Sequence, residues 1–371
     1  MKTNFVKLRW LFTMLLFVTT MIMPTMMLAK SIDLKIPEGD GAGTPYKIGT
    51  AEELYWFAGL VNGTLPGVKK DLSANAILTD DIIVNTGVLD PNKDLVSGND
   101  FIEWIPIGKS SSDDDAYTGT FDGNGHTISG LYFNKSNSWY VGLFGCIGAE
   151  GKISNVGVSD SYFQSSNCPY IGGVCGSNSG ELQNCSNSST VIGKENEYRI
   201  GGVCGDNSGT IKSCYNTASV SGQYSVGGVS GSLGSDVTNC YYLSGTVADG
   251  KSGIGGQKDE NGKAEKMSLE QFKSGEVAWL LNGSKSVSTE ESTLAWYQKL
   301  DENADAYPVL KSTDHNMYIK HPSSLATGQP VLVNMQTNQK ATSCLTTIRW
   351  QKRLMKERQI FIARNALYAT M

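Results

Sequence analysis

The chain has 371 residues, of which 42 are glycine and 18% are charged, and its formal net charge is −5. With almost no arginine in its acidic body, it is a poor candidate for nucleic-acid binding. Its eight cysteines include no CxxC pair, so no zinc-site spacing is present and neither a metal nor a cofactor is expected.

Residues 1–29 have the layout of a secretory signal. Lys2, Lys7 and Arg9 precede an uncharged run from Trp10 to Ala29, with Pro24 near its end. The run is just long enough to span a bilayer, but Pro24 and the short core favour cleavage near Ala29, leaving no stable membrane span. The protein is therefore expected to be exported to the periplasm, the cell surface or the medium. No cysteine precedes Cys146, so a lipid attachment site near the cut is absent.

Residues 30–75 read as an N-terminal capping segment. After a loop over Gly41–Pro45, Thr50 opens a capping box with Glu53, and Leu54, Phe57 and Val61 give one apolar face before Gly63 ends the helix. Such a helix would cover the first coil of a stack and hide its unpaired strand edge.

Residues 76–256 carry a repeat. YVGLFG, YIGGVCG, RIGGVCG and SVGGVSG end at Gly145, Gly176, Gly205 and Gly231, and each is followed by a polar turn and a second apolar strand. Those strands begin near Ile153, Leu182, Ile211 and Val237, at spacings of 29, 29 and 26 residues. Two positions later stand Asn155, Asn184, Ser213 and Asn239, then Val156, Cys185, Cys214 and Cys240. Alternating apolar and polar residues indicate half-buried strands, and the Asn-Ser-Gly triplets indicate turns. This pattern predicts an all-β, right-handed parallel β-helix (a β-solenoid) with short capping α-helices at both ends, in which the Asn column forms a stacked amide ladder. A four-bladed propeller is the competing fold, but each period holds too few strands for a blade.

The stretch YTGTFDGNGHTISGL over 117–131 reads as an earlier coil. Together with VGLFG, GKISNV and the in-register pattern G-G-[VL]-x-G-x-N-x-G-x-[IL], the block from 117 to about 245 resembles the GLUG-motif repeat family of secreted and surface proteins of Bacteroidetes-type bacteria. Departures at Ser230, Ser232 and around Gly142 and Leu143 fall at the end repeats. The resemblance implies a β-helix-like fold and no defined catalytic residues.

Residues 257–312 form a C-terminal closing segment. Ser268 and Gln271 make a second capping box, and Phe272, Val277, Trp279, Leu280 and Leu281 precede an aromatic patch of Trp296, Tyr297, Tyr307, Pro308, Val309 and Leu310. Residues 313–371 are a tail, basic from Lys340 onward. Removing the +3 of the first 29 residues and the +6 of Lys340–Met371 from the formal −5 leaves −14 for residues 30–339. The tail reads as a basic arm, a solvated helix or a non-native continuation, and the abrupt change in composition favours the last.

Catalytic signals are thin. His126 lies in a glycine turn, His315 and His321 lie in polar sequence, and none belongs to a hydrolase arrangement. Arg199, Asp206 and Lys212 are the best charged trio, but Ser225, Ser232 and Thr238 replace them one coil later. Asp113–Asp115 read as a solvated turn. The cysteines read first as core packing, then as disulfides. Tyr140, Tyr170, Tyr198, Tyr224 and Arg199 are the candidate ligand-binding residues, since tyrosines near strand ends suit a glycan or protein surface. The expected function is a secreted or cell-surface, non-enzymatic module for adhesion or for carbohydrate or protein contact. The alternative is a β-helix polysaccharide lyase or glycoside hydrolase acting on acidic glycans.

Overall fold

The computed structural model describes residues 32–110, 114–167, 169–194, 199–232, 236–259, 262–283, 294–300 and 304–310, with Lys30, Ser112 and the backbone of 317–319 and 332–334. The signal-like residues 1–29, the basic tail from Lys340, Asp113, Cys168, Tyr198, His315, His321 and Cys344 lie outside the described residues.

The body is a parallel β-solenoid of about seven turns. Its first sheet stacks Tyr46–Ile48, Ala76–Leu78, Thr120–Asp122, Lys152–Ser154, Glu181–Gln183, Thr210–Lys212 and Val237–Thr238. The second includes Ile82–Ile83, Thr127–Ser129, Gly157–Ser166, Ser186–Gly193, Tyr215–Asn216, Cys240–Leu243 and Ala264–Met267. The third carries the glycine phrases as paired short strands, from Tyr140–Val141 and Phe144–Ile147 through Ser225–Ser230 to Ser252–Ile254. Every sheet contact here is parallel, with Lys152, Glu181 and Thr210 in one register row. In the earlier turns an insertion extends the third face, where Ile107 and Tyr117 bridge to Phe144 and Ile147, and Glu103 bridges to Tyr132 beside the second sheet.

The repeated Asn column is fixed by the backbone first. Asn155, Asn184, Ser213 and Asn239 have φ of 53°, 52°, 52° and 50°, the left-handed region that Asn tolerates better than most residues. The amide ladder is shorter than the sequence predicts. Asn184 Nδ2 donates to Asn155 Oδ1 at 2.9 Å and Asn155 Nδ2 to Asp122 Oδ1 at 3.0 Å, but Ser213 has no amide to carry the chain on to Asn239.

Two deeper ladders lie inside the solenoid. Asn178 Nδ2 donates to Asn207 Oδ1 at 2.7 Å, and Asn187 Nδ2 to Asn216 Oδ1 at 2.9 Å, with all four side chains fully buried. Burying an amide is costly unless its donors and acceptors find partners. Here Asn187 also bonds the backbone of Ser189 in both directions, and Asn216 does the same with Ala218.

These amides, together with the ring of Tyr242, explain the second glycine of the three Gly-Gly phrases. A Cβ on Gly173 or Gly202 would overlap the side-chain amide of Asn187 or Asn216, and one on Gly228 would overlap the ring of Tyr242. Gly145, Gly176, Gly205 and Gly231 instead sit where backbones of successive coils approach too closely for a side chain.

The cysteines pack as the sequence suggests. Cys146, Cys175, Cys185, Cys204, Cys214 and Cys240 are free and buried. Cys175 pairs in register with Cys204, and the amides of Cys185 and Cys214 point at the sulfurs of Cys214 and Cys240 at 3.3 and 3.5 Å. Burial pushes the Cys146, Cys175, Cys185 and Cys240 thiols up from their ordinary range. Among the described residues no group of three or more His, Cys, Asp and Glu is arranged to hold a metal.

The N-terminal helix α1, Ala51–Asn62, begins at Thr50, whose side chain accepts from Glu53 N, and ends at Gly63 with φ 64°. Glu53 reaches back to accept from the amide of Gly49. The helix buries Glu53 through Asn62, far more than the single apolar face predicted, and Phe57 packs on Tyr117 and Phe121 at 6.1 and 6.0 Å between ring centroids. At the other end stand α2, Leu269–Lys273, with the Ser268/Gln271 capping box complete, and α3, Glu276–Leu281. Phe272, Val277, Leu281 and Trp296 share one core cluster with Tyr215 and Tyr241 of the second sheet.

Candidate binding groove

Side chains of the second sheet alternate between inside and outside. Asn187, Asn216 and Tyr242 point inward against Gly173, Gly202 and Gly228, and the buried Val158 shares their register column, so their neighbours face out. Thr127, Gly157, Ser186 and Tyr215 form one outward column, and Ser159 and Ser188 share a second, with Thr217 following Asn216 on the next coil. Thr127, Ser159, Ser186, Ser188 and Thr217 are half-buried.

The C-terminal segment builds a wall along this surface. Tyr215 Oη donates to the carbonyl of Pro308 at 2.6 Å, and Trp296 Nε1 donates to that of Ser213 at 3.1 Å. Burial pushes the Tyr215 hydroxyl up from its ordinary range, so it stays a donor. Tyr297 and Val309 bridge antiparallel, and Tyr307 stands edge-on to Phe272 at 5.6 Å. The aromatic patch thus lies against the outer side of the last coils. Between it and the hydroxyl columns a groove of ≈ 510 Å³ remains, with Tyr307, Pro308 and Leu310 on the wall and Asp81 and Asp305 in the lining.

The lining is held in place from beneath and from the side. Asp81 Oδ1 accepts the Thr127 amide at 2.8 Å and lies 3.2 Å from His126 Nδ1. Just beyond Ser159, Asp160 pairs with Lys93 at 2.8 Å, and Thr190 Oγ1 donates to the Lys93 carbonyl at 2.7 Å. The loop carrying Lys93 is thereby pinned beside the floor.

The tyrosines singled out by sequence lie on a different face. Tyr140, Tyr170, Arg199 and Ser225 form one register column of the third sheet. The rings of Tyr140 and Tyr170 stack at 5.2 Å and 21°, and the Arg199 guanidinium lies 5.5 Å from the Tyr170 centroid. Arg199 is also bound by Asp206 at 2.7 Å. Tyr170 thus lies between the Tyr140 ring and the Arg199 guanidinium, and both tyrosines are half-buried. Lys212 belongs to the first sheet, so the charged trio reduces to one ion pair. Tyr224 precedes the column position held by Ser225, is 49% exposed, and lines a second pocket of ≈ 310 Å³ with Lys251 and Lys258.

Sequence reading missed the groove because its floor residues are small hydroxyls, common on any strand surface. Its wall comes from a segment roughly ninety residues later in the chain, a pairing no local pattern reveals.

No family model matches the chain. Over 84 residues, 23% of this chain and 1% of the other, it is 38% identical to "Halomucin" of Haloquadratum walsbyi. Over 78 residues, 21% of this chain and 9% of the other, it is 33% identical to a "Putative Gly-rich membrane protein" of Evansella cellulosilytica. The chain therefore spans only a small part of these relatives. Among solved structures, a "putative immunoglobulin A1 protease from Bacteroides ovatus" aligns over 76% of this chain and 96% of its own, at 16% identity and a TM-score of 0.37.

Proposed function

We propose that this protein is an exported, cell-surface member of the GLUG-motif repeat class, and that it is a non-enzymatic contact module for a glycan or a surface protein. The observation that carries this reading is the groove, a ≈ 510 Å³ concavity on the outer face of a rigid sheet, with a hydroxyl floor and an aromatic wall. The signal-like first 29 residues support export. A surface location is in keeping with the mucin and membrane-protein names of the partial relatives.

The best charged trio does not converge, since Lys212 stands apart from Arg199 and Asp206. A lyase or hydrolase of acidic glycans would need carboxylates and a Lys or Arg meeting at one point. The deciding experiment applies the full chain to a broad glycan and host-matrix array. Retention on specific glycans or matrix proteins without turnover is the expected result. Silence across the array, together with cleavage of a uronic-acid polymer, would overturn the reading in favour of the enzyme.

A further inference from the structure

We infer that the groove takes a neutral, extended polysaccharide laid along the solenoid axis; this deepens the surface-contact reading and rests on it. Outward hydroxyls recur from coil to coil in register, at a strand spacing of about 4.8 Å. Each hydroxyl can donate and accept, which suits a polymer whose own hydroxyls repeat along its length. Tyr307 and Leu310 on the wall, both half-buried, offer apolar surface to the C–H faces of pyranose rings.

Two other ligand classes fit less well. A peptide strand gains its affinity by pairing with an open sheet edge. The floor strands Gly157–Ser166 and Ser186–Gly193 are each paired in parallel on both sides, so they present side chains only. A polyanion meets the wrong charge. The ionisable side chains other than tyrosine in the lining are Asp81 and Asp305, the nearby Lys93 is engaged by Asp160, and residues 30–339 carry a formal −14.

The test is equilibrium binding of the full chain to neutral polymers (a β-glucan, a xylan, a mannan) and to acidic ones (polygalacturonate, alginate, heparin) at low salt. Ser188→Trp fills the groove from a half-buried outward position, and the double substitution Ser186→Ala with Ser188→Ala removes two hydroxyls without adding bulk. We expect binding to at least one neutral polymer, a loss of at least about tenfold in Ser188→Trp, and a smaller loss in the double variant at an unchanged unfolding midpoint. If Ser188→Trp fails to fold, the double variant alone decides. Preference for the acidic polymers, or neutral-polymer binding that survives substitution, would overturn the inference. Binding to matrix proteins with no polysaccharide bound would also overturn it while leaving the surface-contact reading intact, and no binding to any probe would remove both.

Discussion

Asn187 and Ser188 are neighbours on one strand of the second sheet, yet they belong to different parts of the molecule. Asn187 is fully buried, bonded to Asn216 and seated over Gly173, whereas Ser188 is half-buried and lines the groove. A strand's two-residue alternation thus divides this protein into a scaffold side and a contact side. The inward column has little freedom to vary, since Asn187, Asn216 and Tyr242 each fit a glycine on the facing sheet. The outward column carries no such constraint.

The largest expected effect breaks the inward fit. In Gly202→Ala the new methyl overlaps the Asn216 amide, and overpacking of this kind should cost on the order of 3 kcal/mol in denaturant unfolding. Asn187→Ala comes next. It strips the amide from the buried ladder and leaves Asn216 Oδ1 and the Ser189 backbone without that partner, at an expected cost of about 2 kcal/mol in the same measurement.

A third expectation concerns pH. The Cys146 and Cys175 thiols are neutral in the fold and held above their ordinary value of 9.0 by burial. The unfolded chain therefore releases these protons first, so the thiols' contribution to stability should be level from neutral pH to about 9 and fall as pH rises beyond it. Unfolding midpoints that rise between neutral and alkaline pH would contradict this. The smallest effects belong to the outer surface. Asp160→Asn loses an exposed ion pair with Lys93 and should shift stability by less than about 1 kcal/mol, read from the thermal midpoint.

The repeat itself made the solenoid legible. The spacings of Ile153, Leu182, Ile211 and Val237 give the coil register, and Asn155, Asn184 and Asn239 mark the corner. The buried ladders were not legible. Asn178 and Asn187 look like turn and surface residues in a polar string, and only their complete burial in the fold shows them to be interior. The groove was not legible for a related reason. Tyr140 and Tyr170 stand out in the sequence because they are large, but in the fold they stack on each other. The groove depends on Ser186, Ser188 and Tyr307, whose relation is set by how the closing segment packs on Tyr215 and Tyr241.

The division between the two sides of the second sheet is tested most directly by measuring the unfolding free energies of Asn187→Ala and Ser188→Ala side by side in urea. The alternation of the strand predicts a loss of about 2 kcal/mol for Asn187→Ala and a change within about 0.5 kcal/mol for Ser188→Ala. Equal losses in the two variants, or the larger loss in Ser188→Ala, would contradict it.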